Sequence, residues 1–221
     1  MAAHALLSAS SAKRWIACPP SARIAAEFPD RESDAALEGT MAHAQAEKWF
    51  MEGIETTDPY VNDYVAYVTR ERWVLTDSTL LIEERIDFSH IAKGGFGTAD
   101  CIIYNKDLLH VIDFKFGQGV MVEAENNPQM ILYALGAIRQ LKIIPQEIKM
   151  TIFQPRMDNL STWTITAAEM QKLGQQIKPS AKMAWEGKGK LNAGDHCTFC
   201  PYKNICPEFK SYFNSQYLIT F

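Results

Sequence analysis

No apolar stretch in the 221 residues approaches the roughly 18 consecutive residues of a membrane-spanning helix. The opening MAAHALLSASSAKRW has neither the basic start nor the long apolar centre of a secretory signal. The expectation is a cytoplasmic protein with no membrane partner. Positive charge is also scarce: 22 Lys and Arg stand against 26 Asp and Glu, a net charge of -4. That balance argues against a protein that coats nucleic acid through bulk charge; Lys13, Arg14 and Arg23 at one end and the lysines from Lys172 to Lys210 at the other read either as scattered surface charge or as a local basic strip, scattered charge being the favoured reading. Internal repeats and low-complexity tracts are absent, which excludes solenoid and disordered architectures. Cysteine is sparse, five residues in all, and a reducing compartment argues against a disulfide framework. The odd number suggests four ligands and one leftover. What remains is 47% hydrophobic and 22% charged, the composition of one globular domain with a core of its own.

Periodicity sets out the elements. Ser8, Ser10 and Ser11 precede Trp15, Ile16 and Ile24 in a capped helical stretch that Cys18-Pro19-Pro20 interrupts. Ala42, Ala46, Trp49 and Phe50 form one stripe of a helix from about Leu37 to Phe50, with His43 beside it. Asp58-Pro59 is an N-cap with proline at the first helical position, ahead of Val61, Tyr64, Val65, Val68 and Leu75. After Asp77 the period shortens to two: Leu80, Ile82, Ile86 and Phe88 alternate with polar residues in a half-buried strand, and Glu84 falls on the apolar face as a possible further carboxylate. Strands follow at Gly97 to Tyr104 and Leu108 to Phe116, joined by a turn at Asn105-Lys106-Asp107. Asn127-Pro128 opens a helix to about Gln140; Ile148 to Phe153 and Trp163 to Ile165 are strands; Thr166 to Glu169 is a capping box starting a helix that Pro179 should kink or end. The pattern reads as an α/β protein with a central mixed sheet flanked by helices and a cysteine-bearing end piece beyond Gly187.

Asp113 and Lys115 are two apart on one predicted strand and share a face, and a hairpin pairing brings Asp100 near Asp113. Neighbouring carboxylates repel unless a cation lies between them, and a hard ion such as Mg²⁺ or Mn²⁺ suits oxygen donors. Val111, Ile112, Phe114 and Phe116 make the strand apolar at most other positions, where buried charges without a function would cost several kcal/mol. Such a site suits phosphodiester hydrolysis, with Lys115 acting on the attacking water.

Four blocks carry a family resemblance: Glu38-Gly39-Thr40 with His43, Gly97-Thr98-Ala99-Asp100, Val111-Ile112-Asp113-Phe114-Lys115, and Gln129 with Tyr133. In this order they resemble the RecB-like branch of the PD-(D/E)xK nuclease superfamily, over roughly the middle half of the chain. The resemblance implies a restriction-endonuclease-like core, with His43, Asp100, Asp113 and the main-chain carbonyl of Phe114 as metal ligands. It makes Lys115 the catalytic lysine and sets Gln129 and Tyr133 beside it, one helical turn apart.

Cys197, Cys200 and Cys206 lie together near one end of the chain and Cys18 near the other. Four thiolates satisfy a four-iron cluster or a tetrahedral zinc, so ligand number leaves both open, and His4 or His196 could stand in for a cysteine at zinc. Three clustered cysteines with one remote one resemble the iron-sulfur branch of the RecB-like nucleases, including the AddB subunit and the CRISPR-adaptation exonucleases. That likeness implies a 4Fe-4S cluster on Cys18, Cys197, Cys200 and Cys206 that joins residues 1–30 to 187–221 within a single nuclease domain spanning 1–221. Cys101 is the leftover, a small buried residue. The expected activity is a Mg²⁺- or Mn²⁺-dependent DNA exonuclease acting on single- or double-stranded ends in recombination, repair or spacer acquisition, with a strand-annealing or integration protein as a possible partner. The alternatives are a non-catalytic DNA-binding or assembly factor, and a metallohydrolase of small phosphoesters.

Overall fold

The structure, a computed structural model, describes residues 5–29 and 34–217. Four helices come first: α1 (Ala12–Ala17), α2 (Ser21–Ala26), α3 (Asp34–Glu52) and α4 (Pro59–Val74). Strands β1 (Thr79–Asp87), β2 (Phe96–Tyr104) and β3 (Leu108–Phe114) then form an antiparallel meander. Helix α5 (Pro128–Leu141) crosses to β4 (Glu147–Gln154), which pairs parallel to β3, and β5 (Asn159–Thr166) returns antiparallel at the far edge. Helix α6 (Ala167–Glu186), a 3-10 turn at Asp195–Cys197 and helix α7 (Pro207–Tyr217) complete the chain. The five strands lie in sequence order in one mixed sheet. No helix among the described residues is long and apolar enough to cross a membrane.

The sheet has a hydrophobic core on each face. Ile86, Ala99, Ile102, Leu109, Val111, Ile148 and Ile152 turn toward α1, α5 and α6. Cys101, Ile103, Ile112 and Phe114 turn toward Ala42 and Ala46 of α3 and Val61, Tyr64 and Val68 of α4. Two-sided burial explains why β3 reads as nearly continuous apolar sequence. Local chemistry sets the element ends: the Asp58 carboxylate accepts from the N–H groups of Tyr60 and Val61, and Asn127 accepts from that of Gln129. Thr166 and Glu169 close a full capping box, and Asn105 accepts from Asp107 N and Leu108 N to shape the β2–β3 turn.

Of the two outcomes expected at Pro179, a kink or an end, the structure excludes the end, because α6 continues past it to Glu186. An interior proline costs on the order of 3 kcal/mol in helical hydrogen bonding and fit. Here Met170, Gly174, Ile177, Ala181 and Ala184 are buried on both sides of it, and that packing holds the helix together. Strand β3 ends at Phe114 rather than Phe116, although Lys115 N still donates to Phe153 O at 2.8 Å. Strand β5 is longer than Trp163 to Ile165; as an edge strand it alternates exposed and half-buried positions, so its outer residues lack an apolar signature.

Close packing of α5 on the sheet sets the height of the helix that carries Gln129 and Tyr133. A Cβ at Gly136 would lie 2.3 Å from a methyl of buried Ile86 and 3.0 Å from the carbonyl oxygen of Asp87. Gly136→Ala should therefore destabilise by about 1–3 kcal/mol, overpacking outweighing the helix-propensity gain. The midpoint of urea unfolding measures this, and an unchanged or higher midpoint would contradict it.

Candidate active site

The β2–β3 ladder pairs residues from Tyr104↔Leu109 to Cys101↔Ile112. Just beyond that last pair, the Asp100 side chain takes the place of a backbone acceptor: Phe114 N donates to Asp100 Oδ2 at 2.6 Å. The functional groups gather at this end of the ladder.

Asp113 and Lys115 share a face of β3, as strand alternation requires, and that face meets the first turn of α5. Lys115 Nζ lies 2.9 Å from Asp113 Oδ2 and donates to Gln129 Oε1 at 3.2 Å. Gln129 Nε2 in turn donates to Asp113 Oδ1 at 2.8 Å. The three side chains form a closed triangle, and its geometry rests on the Asn127-Pro128 cap that sets where α5 begins. Asp113 is 1% exposed, and its Oδ2 is met by the Lys115 ammonium. One turn along α5, the buried Tyr133 ring packs over Gly97, where a Cβ would meet it at 2.9 Å. The glycine at 97 is needed for that approach.

On the other side of Asp100, His43 of α3 places Nδ1 3.5 Å from Asp100 Oδ1 and 3.2 Å from Glu83 Oε1. Donor atoms of His43, Glu83 and Asp100 all lie within 4.8 Å of one another. Glu83 reaches this position through its backbone. It has φ of 49° in the middle of β1, a left-handed conformation uncommon for a residue with a Cβ. The turn exchanges the faces of the strand: Leu80 and Ile82 pack toward α3 and α4 before it, whereas Ile86 and Phe88 pack in the opposite core after it.

Crowded charge controls the protonation of the site. Burial raises the Asp100 carboxyl well above the usual carboxylate range, with the Asp113 charge adding to the effect and His43 and Lys115 opposing it. Burial opposes the imidazolium form of His43, but Asp100, Glu83 and Asp113 overcome it and push its pKa up to about 9. Lys115 follows the same logic: burial disfavours its charge, while the Asp113 and Asp100 carboxylates raise its pKa overall. The Tyr133 phenol is raised by burial first and by the same two acids, so it stays protonated. Without an added cation, then, His43 and Lys115 serve as counter-charges to the acids.

The structure brings together His43, Asp100, Asp113, Lys115, Gln129 and Tyr133. Phe114 lies between the two acids, with its N–H on Asp100 and its ring 5.3 Å from that of His43. Glu84, the carboxylate on the expected apolar face, points the other way and accepts from Gln140 Nε2 at 2.9 Å. Its neighbour Glu83 is the inward acid, missed because alternation across β1 reverses at Glu83 itself. The nitrogen and carboxylate donors of His43, Glu83 and Asp100 fit a hard divalent cation such as Mg²⁺ or Mn²⁺.

The cysteines form a second group. Cys18, Cys200 and Cys206 all lie close enough to the Cys197 thiol to raise its pKa, after the larger effect of its burial. Asn192 joins the two ends of the chain, donating to Ala17 O at 3.1 Å and from its backbone to Cys18 Sγ at 3.4 Å. Around one zinc ion, Zn–S bonds of about 2.3 Å would set sulfur atoms roughly 3.8 Å apart. Among the described residues no three thiols come within 4.8 Å of one another, a spacing wider than one zinc requires. Cys101 is fully buried and remote from this group in the fold, between Ile103 and Ile112 in the core facing α3 and α4. His196 Nε2 donates to Asn192 O at 2.9 Å, and His4 lies outside the described residues.

A family model described as "Protein of unknown function (DUF2800)" matches residues 4–59 and 52–217. The chain belongs to the DUF2800 family. Among solved structures, that of SSO0001 is similar at 14% identity and a TM-score of 0.38, covering 90% of this chain and 85% of the other. An alkaline exonuclease (LHK-Exo) from Laribacter hongkongensis is similar at 11% identity and a TM-score of 0.37, covering 81% and 88%. At these scores neither likeness bears on the chemistry of the DUF2800 site, which rests on its own residues.

Glu83→Ala should weaken Mn²⁺ binding by at least about tenfold, the scale on which a metal site responds to loss of a supporting group, while Glu84→Ala leaves it unchanged. Isothermal titration of the two variants separates them, and equal affinities would remove Glu83 from the site.

Proposed function

We propose that this chain is a metal-dependent deoxyribonuclease that hydrolyses phosphodiester bonds at DNA ends. The observation that carries this reading is the meeting, at one end of the β2–β3 ladder, of a three-donor group (His43, Glu83, Asp100) with an Asp113–Lys115–Gln129 triangle. Asp113, beside this group on β3, and the Phe114 main-chain carbonyl complete the proposed ligand set. A divalent ion held there supplies positive charge that stabilises a phosphoryl transition state and acidifies water.

The protein's own groups supply the rest. Gln129 Oε1 directs Lys115 Nζ along the strand face, so the amine is positioned before substrate arrives. Lys115 is held as a cation by Asp113 and Asp100; were those carboxylates to hold a divalent cation, the Lys115 proton would be held less tightly and its amine would be the group placed to take a proton from water. Tyr133 keeps its proton and remains a donor beside Gln129. Cleavage from ends, in recombination, repair or spacer acquisition with a strand-annealing or integration partner, is the exonuclease reading that the sequence resemblance supports.

A 4Fe-4S cluster on Cys18, Cys197, Cys200 and Cys206 belongs to the same proposal, with zinc as the competing occupant. The gathering of the four thiols suits a shared metal centre of either kind, and the sequence resemblance favours the cluster. Its role is to hold the two ends of the chain together, closing a very long loop.

End-labelled linear single- and double-stranded DNA, incubated with Mn²⁺ or Mg²⁺ and with EDTA, tests the activity. Lys115→Ala should lose cleavage by about 10²–10⁴-fold, the usual contribution of a general base, while retaining its fold and Mn²⁺ affinity. No cleavage by metal-loaded wild-type protein that still binds DNA would favour a non-catalytic binding factor. Anaerobically purified protein should carry about four irons, from the cluster stoichiometry, and Cys200→Ser should lose both the iron and several degrees of thermal midpoint. One tightly bound zinc in place of iron would decide for the alternative.

A further inference from the structure

A cleft of about 350 Å³ opens beside the carboxylate site, with Glu38, Met41, Ala42, Tyr60, Phe116 and Arg156 among its lining residues. Ala42 directly precedes His43 on α3 and Phe116 packs with Phe114 in the core facing α3 and α4, so the cleft lies on the side of the sheet from which His43 reaches the site. The rings of Phe116 and Phe114 meet at 6.0 Å, and that of Phe114 lies 5.3 Å from His43.

Arg156 is the cation lining this cleft. It sits in the 3-10 turn after β4, its guanidinium stacked 4.7 Å above the Phe116 ring and its Nη1 2.8 Å from Glu38 Oε2. The two partners differ in burial: the Arg156 side chain is 20% exposed and that of Glu38 57%. The aromatic stack therefore holds Arg156 in place, whereas Glu38 is an exposed acid in a pair of the kind worth little to stability. Asp58, the other acid on the wall, is committed to capping α4. A phosphodiester offers a guanidinium the same pair of anionic oxygens as a carboxylate does. Met41 and the half-exposed Tyr60 provide an apolar wall beside it for a sugar or base.

We propose that this cleft binds the nucleotide flanking the scissile bond, with Arg156 exchanging Glu38 for a DNA phosphate; this rests on the reading that the neighbouring site cuts DNA. Glu38 thus keeps the cation neutralised and oriented until the strand arrives. The exchange also supplies positive charge at the cleft of a protein whose net charge is -4.

The test is fluorescence anisotropy of a labelled single-stranded DNA with the full chain in Ca²⁺ buffer at several salt concentrations, together with thermal melting of each variant. Arg156→Gln should weaken binding by about tenfold or more and lower the salt slope by roughly one phosphate contact. Glu38→Gln, which breaks the same ion pair but leaves the arginine, should bind as tightly as wild type or more tightly. Equal weakening in both variants with a matching drop in melting temperature would make the pair a structural bridge and overturn the proposal, as would an unchanged Kd and salt slope in Arg156→Gln. If the wild type cleaves and binds DNA, these last outcomes defeat the cleft alone. If the wild type neither binds nor cuts DNA, the nuclease reading falls with it.

Discussion

Three carboxylates, Glu83, Asp100 and Asp113, are held close together at the edge of a hydrophobic core, and much of the local structure answers the repulsion among them. Like charges at such separations cannot all ionise in a poorly solvated site without compensation. The compensation comes from two directions: His43 enters from α3 on one face of the sheet, and Lys115 with Gln129 from β3 and α5 on the other. The ladder between β2 and β3 opens at this point, and Asp100 accepts the Phe114 amide that would otherwise lack a partner.

This arrangement ties the fold to the chemistry. Helix α5 is buried along most of its length and approaches β1 closely at Gly136, which fixes the height at which Gln129 and Tyr133 meet the strands. Helices α3 and α4 cover the other face, and the stack of Tyr64 on Phe114, with ring centroids 4.3 Å apart, presses β3 against them. Rigid elements on both sides thus hold groups whose mutual electrostatics favour separation. The left-handed backbone at Glu83 belongs to the same economy: local strain of order 1–3 kcal/mol brings a third carboxylate to the site. The two ends of the described chain meet separately, since α1 packs on α6 and on the 3-10 turn bearing Cys197.

Most helices and strands were legible in the sequence because their signals are local: Asp58-Pro59 and Asn127-Pro128 as caps, the Thr166 to Glu169 capping box, the period-two run of β1 and the short apolar runs of β2 to β4. Where local signals left open or misplaced an element's end, a distant contact decided it. Pro179 stays within a helix because residues on both sides of it are buried, and β5 outruns its apolar residues because its pairing partner β4 holds the backbone.

Asp113, Lys115, Gln129 and Tyr133 are set by spacing, two along a strand and one turn along a helix, so the sequence by itself determined their common faces. It also determined that four cysteines were available from the two ends of the chain. Only the tertiary structure decided that Glu83 and not Glu84 joins His43 and Asp100, because a single left-handed residue reverses the alternation from which the sequence is read. Only it brought Arg156 against Phe116 and Glu38, residues 40 and 118 positions away in the chain, because proximity between distant segments follows from how helices and sheet pack rather than from any local pattern.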